Sequence, residues 1–353
     1  MKLQTIRPLF ALTLLSMTGL AAHAADMQKD ELQVLRVRPN VYMVIGGGGN
    51  TTVQTGEQGV LVVDTKRQDA AESLLTTIGA LTAKPIGTVG TTHSHPALEG
   101  LDQERLVTRG DLECVIRVIV NTGYAPDQTG GNTIIGQAGR TATGGNVAFD
   151  LSDANQGAEI IAHENTLLRV SGALGGKAAL EQDGWPTSTF FGKQKAIFFN
   201  GEAVRIYHEA KASADGDVIV FFRRSDVIAT GDLFDPERYP VIDVAAGGTI
   251  NGIIDALNHV IDLSTPAFGQ EGGTVIVPGH GRLANYGDLV NYRDAVTVIR
   301  DRVQDAIKNG KSLKQVKAAK LTMDYDPLYG ATEGPWTTDK FIEAVYASLA
   351  AKK

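Results

Sequence analysis

The chain has 353 residues, 43% of them hydrophobic, enough for one large domain or two small ones with a sizeable buried core. Its net charge of −7, with no long basic run, argues against nucleic acid or an anionic membrane surface as a partner. The single cysteine, Cys114, excludes an intrachain disulfide and any zinc site built on several thiolates; it lies in an apolar strand-like run and reads as a buried, inert thiol.

Residues 1–25 read as a cleavable secretory signal. Lys2 and Arg7 supply the positive start, Leu9 to Leu20 the apolar core, and Ala22-His23-Ala24 a small-residue cleavage site. The apolar run is too short for a comfortable membrane span, and no later stretch could cross a bilayer. A soluble mature protein in a bacterial periplasm, or secreted, is therefore expected. Alternating apolar residues then predict short strands at 34–37, 41–45, 51–55 and 60–63, separated by Pro39-Asn40, Gly46 to Gly49 and Gly56 to Gly59. Helical spacing follows at 70–81. Residues 86–115 read as an insertion before a strand at 117–120.

The segment 121–132, Asn-Thr-Gly-Tyr-Ala-Pro-Asp-Gln-Thr-Gly-Gly-Asn, reads as a turn leading into a helix. Strands are expected at 196–199, 203–208, 218–222, 227–230 and 274–277, with a helix at 251–263 before the last of them. Two β-rich halves, each closed by helices, suit a layered α/β arrangement. Beyond Asn285 the pattern is helical, with Leu289, Tyr292, Val296, Ile299, Val303 and Ile307 on one stripe. Gly310 ends that helix, Ser312-x-x-Gln315 opens another, and 338–349 reads as the last. Residues 286–353 are expected to pack on the sandwich rather than form a separate catalytic unit.

Four segments occur in an order that resembles the metallo-β-lactamase superfamily: Val62-Val63-Asp64-Thr65, the turn at 121–132, Ala229-Thr230-Gly231-Asp232 and Pro278-Gly279-His280-Gly281. The stretch from Tyr207-His208 to Asp217-Val218 also resembles the family's A-H-T-D-G-D segment. The likeness covers about residues 34–305 and implies an α/β, four-layer αββα sandwich with a C-terminal helical extension at 306–353. The main domain would then run over 26–305. It also implies a dinuclear zinc centre, because in that family the turn reads N-T-H-x-H-x-D-H-x-G-G-N. Here the three histidine positions hold Gly123, Ala125 and Gln128, and only Asp127 is kept.

Carried over position by position, the first metal site would be Gly123, Ala125 and Ser213, which offer no useful ligand. The second would be Asp127, Gln128, Asp232 and His280: two carboxylates, an amide oxygen and an imidazole able to hold one divalent ion, zinc or else manganese or iron. Two readings compete. In one, Asp127, Asp232 and His280 are catalytic, holding an ion that polarises a carbonyl or activates water, with Tyr124, Ser213 and His208 contacting substrate. In the other no metal binds: Asp127 caps a helix, Asp232 serves loop amides, and His280 is a satisfied turn histidine.

His93-Ser94-His95 looks like a displaced H-x-H pair but lacks the following Asp-His, so a solvent-exposed loop is expected there. His163, His208 and His259 are expected to be structural, with His208 also able to line the pocket. The glycine-rich stretch 139–146 lacks the lysine and context of a phosphate-binding loop. The implied function is an exported hydrolase of a small-molecule ester, lactone, amide or β-lactam with at most one metal ion. The alternative is a non-catalytic periplasmic binding or scaffold protein built on the same fold.

Overall fold

The computed structural model describes residues 32–82, 115–140, 157–175, 177–267 and 272–350. The signal segment 1–25, nearly all of the insertion with His93, His95 and Cys114, and most of the loop 139–146 lie outside the described residues. In the first sheet, β1 (Gln33–Arg38), β2 (Val41–Ile45), β3 (Thr51–Gly56) and β4 (Gly59–Val63) form an antiparallel meander. Parallel strands β5 (Ile116–Val120), β6 (Glu159–His163) and β7 (Ser188–Phe190) extend it. In the second sheet β8 (Gln194–Phe199), β9 (Glu202–His208), β10 (Val218–Phe222) and β11 (Val227–Gly231) run antiparallel, and β12 (Val275–Pro278) joins β11 in parallel.

Side-chain alternation explains the layering. Leu61 and Val63 of β4, Val118 and Val120 of β5, and Val218, Val220 and Phe222 of β10 meet in one core between the sheets. The intervening Val60 and Val62 face outward against helices α1 (Ala71–Thr82) and α2 (Asn132–Ala138). A further short helix, α3 (Glu164–Val170), follows β6. On the far side Ile219, Ile228 and Ile276 pack against α4 (Ile250–Leu263) and α5 (Tyr286–Lys308). Strands covered on both faces read as continuous apolar runs, and each buried Val, Leu or Ile contributes about 1.5–3 kcal/mol. The result is helix, sheet, sheet, helix.

The C-terminal region shares the outer core. α6 (Leu313–Ala318) opens with the expected capping box, in which Gln315 Oε1 accepts from Ser312 N at 2.9 Å. Phe341, Ile342 and Val345 of α7 (Thr338–Ala350) pack in one cluster with residues of α4 and α5. Because α5 runs to Lys308, the boundary expected at 305 falls inside its last turn. Among the described residues, no helix is long and apolar enough to cross a membrane.

Strand positions expected from alternation agree with the structure to within a residue or two at each end. Neither α3 nor β7 was expected. β7 has three residues, too few to show a period, and α3 follows β6 without a break, capped by His163, whose Nδ1 accepts from Asn165 N at 3.2 Å.

One buried acid ties the two sheets together. Glu202 of β9 accepts from Gln54 Nε2 of β3 at 2.6 Å, from Ser225 Oγ at 2.6 Å, and from the amides of Arg224 and Ser225 at 2.8 and 2.9 Å. Glu202→Ala strands these donors and is expected to lower unfolding free energy by about 2–4 kcal/mol. Urea denaturation checks it, and a loss under about 1 kcal/mol would show the link to be dispensable.

Candidate metal centre

Three donors converge where parallel strands end. Asp127 sits on the single helical turn Pro126–Thr129 after β5, Asp232 directly follows β11, and His280 lies two residues past the end of β12. One ligand atom from each of the three lies within 4.8 Å of the others. His280 Nε2 is 2.8 Å from Asp127 Oδ2 and 3.3 Å from Asp232 Oδ1. Burial alone would pull the His280 imidazole down, but the two carboxylates outweigh it and hold it at about 10. Asp232 Oδ1 is buried and makes no well-formed hydrogen bond, only the 3.3 Å ion pair with His280 Nε2. Two carboxylates and an imidazole whose ligand atoms converge, one carboxylate oxygen buried with that single long contact, fit a divalent ion. Two hard oxygens and one borderline nitrogen suit zinc, manganese or iron.

Of the roles expected for a metal-free turn, His280 does have partners, the carboxylates of Asp127 and Asp232; the other two are not seen. The helical turn begins at Ala125 rather than with Asp127 as its cap, and Asp232 Oδ1 serves no loop amide.

The retained parts of the turn hold its shape. Asn121 Nδ2 donates to Gln128 O at 2.9 Å and to Asn132 Oδ1 at 3.0 Å, and Asn132 Nδ2 returns a bond to Asn121 Oδ1 at 2.9 Å. Thr122 donates through its amide and its hydroxyl to the two oxygens of Asp64, at 2.7 and 2.6 Å. Burial pushes the Asp64 carboxyl well above its usual range despite those bonds. The Asn-Thr and Gly-Gly-Asn signature is thus explained by architecture, independently of any ligand.

Residues that the sequence did not single out position the donors. The β2–β3 turn roofs the cluster: a Cβ on Gly49 would lie 3.4 Å from Asp127 Oδ2 and 3.6 Å from His280 Cε1. The next residue, Asn50, clasps the loop that carries His280. Its Nδ2 donates to Pro278 O at 3.0 Å and Gly281 O at 2.9 Å, and its amide to Gly279 O at 2.7 Å. Lys66, fully buried, donates through Nζ to the carbonyls of Val44, Gly46 and Gly49 at 2.9, 2.8 and 2.7 Å. Burial draws this ammonium down to about 7, against the pull of Asp64 and Asp127.

The space around Gly123, where the resemblance would place a first metal site, is filled. A Cβ on Gly123 would fall 2.4 Å from Gln128 Oε1 and 3.2 Å from Asp217 Oδ1, so those two groups fill the space a side chain at 123 would need. Gln128 Oε1 is itself committed, accepting from Ala125 N at 3.0 Å, which leaves the expected fourth metal contact engaged elsewhere. Asp217 is buried and its carboxyl is pushed up by that burial, while Ala214 N donates to it at 2.7 Å. Gly123→Ala is therefore expected to cost about 1–3 kcal/mol. Thermal or urea unfolding reads this, and an unchanged midpoint would mean the space is not filled.

The expected substrate contacts fall on a separate network. Tyr124 OH donates to Asp243, Arg169 lies 5.4 Å over its ring, and Arg169 makes paired 2.7 Å bonds to Asp215. His208 Nε2 meets Asp215 O at 2.7 Å, and its ring stacks on His163 at 3.6 Å. Ser213 is buried, with its carbonyl accepting from Asp243 N at 2.9 Å. His259 pairs with Glu209 at 2.6 Å. A cavity of about 170 Å³ beside the cluster is lined by Asp127, Asp232, His280, Asp235, Arg238, Tyr239, Val241 and Trp336, and by none of Tyr124, Ser213 or His208. Of these wall residues the sequence analysis singled out Asp127, Asp232 and His280.

No protein-family model and no curated protein matches the sequence. Solved structures do. A stereoselective inverting sec-alkylsulfatase from Pseudomonas sp. is 14% identical, with a TM-score of 0.56 over 90% of this chain and 50% of its own. A metallo-β-lactamase from Pontibacter korlensis is 14% identical over 76% of this chain and 99% of its own, with a TM-score of 0.49. At such identity the likeness is one of backbone, and this chain spans half the alkylsulfatase's length. Paired sheets between helical layers, with an Asp, Asp and His cluster on loops at the strand ends, are those of a metallo-β-lactamase-fold protein.

Proposed function

We propose that this chain is a hydrolase of a small-molecule ester, lactone, amide or β-lactam, working with a single divalent metal ion held by Asp127, Asp232 and His280. The observation that carries this reading is the convergence of one ligand atom each from Asp127, Asp232 and His280 within 4.8 Å, with Asp232 Oδ1 buried and held only by a 3.3 Å ion pair. Such an ion, when bound, supplies Lewis acidity, polarising a carbonyl and acidifying water. Asp127 and Asp232 balance its charge. Asp127 Oδ2, which here lies against His280 Nε2, is the atom assigned to accept a proton during turnover. Asn50 and Lys66 keep the His280 loop and the glycine turn in register. The segment 1–25 supports export to a bacterial periplasm.

A second reading has one observation in its favour. Gln128 and Asp217 fill half of the ancestral centre, as expected of a non-catalytic binding or scaffold protein. Fold does not choose between them. The test is a panel of lactones, β-lactams, aryl esters and a secondary alkyl sulfate, offered to chelator-treated protein before and after adding zinc, manganese or iron. Hydrolysis of at least one member that rises about 100-fold or more on metal addition supports the enzyme. Rates flat across the panel support the scaffold.

A further inference from the structure

The cavity beside the cluster has two unlike halves. Asp127, Asp232 and His280 form one; Tyr239, Val241 and Trp336 form much of the other. Tyr239 is a fixed wall: its OH donates to Asp326 Oδ1 at 2.9 Å and its ring stacks on Phe341 at 4.5 Å. Val241 leaves 42% of its surface exposed there.

Trp336 comes from the far end of the chain, on a short closed loop. Thr338 N donates to Ala331 O at 2.9 Å, and Ala331 N donates back to Thr338 Oγ1 at 3.1 Å, pinning the loop's two ends together. Lys340 Nζ fixes its middle through Pro335 O at 2.7 Å. Residues 332–335 are exposed, whereas the Trp336 ring turns inward and its indole N–H is buried without an acceptor. Compact loops with joined ends are frequent carriers of function, and here the loop brings an aromatic side chain to the cavity beside the cluster.

We propose that residues 331–338 are a substrate-recognition loop and that Trp336 selects an apolar group, of about phenyl size, next to the bond that is hydrolysed. The cavity, about 170 Å³ over both halves, makes phenyl the upper size, since a benzene-sized ring occupies a cavity of about 150 Å³. For the reaction this rests on the hydrolase reading above; for binding it does not.

Two measurements on the full chain separate those dependences. With zinc-loaded protein, the ratio of kcat/KM for 4-nitrophenyl phenylacetate over 4-nitrophenyl acetate is expected to fall about tenfold or more in Trp336→Ala and to be largely kept in Trp336→Phe. A ratio unchanged in Trp336→Ala overturns the proposal. The chain has two tryptophans, so Trp185→Phe leaves Trp336 as the only indole emitter. Its fluorescence is expected to change saturably with phenylacetate and not with acetate. Saturation without hydrolysis of either ester supports the recognition loop and removes the hydrolase; hydrolysis without any fluorescence response does the reverse.

Discussion

Replacing His280 with alanine is expected to weaken divalent-ion binding at least about 100-fold and to abolish metal-dependent hydrolysis. Loss of a residue that only supports a ligand costs about 10–100-fold, and loss of a ligand costs more. Here the imidazole is also the only nitrogen donor in the group. Removing it leaves Asp127 and Asp232 as two carboxylates facing each other without the imidazole between them. The control is His259→Ala, because His259 lies on α4 and engages Glu209 at 2.6 Å, outside the cluster. Calorimetry on both variants decides it. Equal ion affinity in His280→Ala and the parent would remove His280 from the centre.

Lys66→Met is expected to lose about 2–5 kcal/mol of stability, and with it ion affinity. A methionine keeps the aliphatic stem but leaves the carbonyls of Val44, Gly46 and Gly49 without their buried donor. Each unsatisfied buried group costs about 1–3 kcal/mol. The damage should spread along a defined route. Lys66 shapes the turn 46–49, Asn50 follows that turn, and Asn50 holds the backbone on both sides of His280. Asn50→Ala, which cuts the route later, is expected to weaken ion binding with a smaller loss of stability. Urea denaturation read beside ion titration tests this order. A Lys66→Met protein with parental stability would show that the carbonyls find water instead.

The layered architecture was legible because strands such as β4 and β10 are short continuous apolar runs bounded by turn residues, as expected of strands covered on both faces. The trio of Asp127, Asp232 and His280 could be singled out because each lies in a recognisable turn that follows a strand, and the fold brings the three together. What the turn itself does was less so. The sequence assigned Gln128 to the metal, whereas its amide closes the helical turn against Ala125 and occupies the space beside Gly123. That role depends on a missing Cβ, which no motif spells out. Lys66 reads as a surface lysine; only the fold brings three carbonyls of an earlier turn around its ammonium. Trp336 is separated from Asp232 by the whole of α4 and α5, so no spacing rule links them. Tyr124 and His208 were drawn towards substrate by neighbouring motif positions, but the Asp215, Asp243 and Arg169 network already engages them.

The proposal that unites these observations is one metal ion per chain at Asp127, Asp232 and His280, and counting ions tests it. Calorimetric titration of chelator-treated protein with zinc, with bound metal then counted by native mass spectrometry, should give one ion per chain. Two ions per chain, or a first ion that binds Asp127→Ala, Asp232→Ala and His280→Ala proteins as well as the parent, would contradict the account.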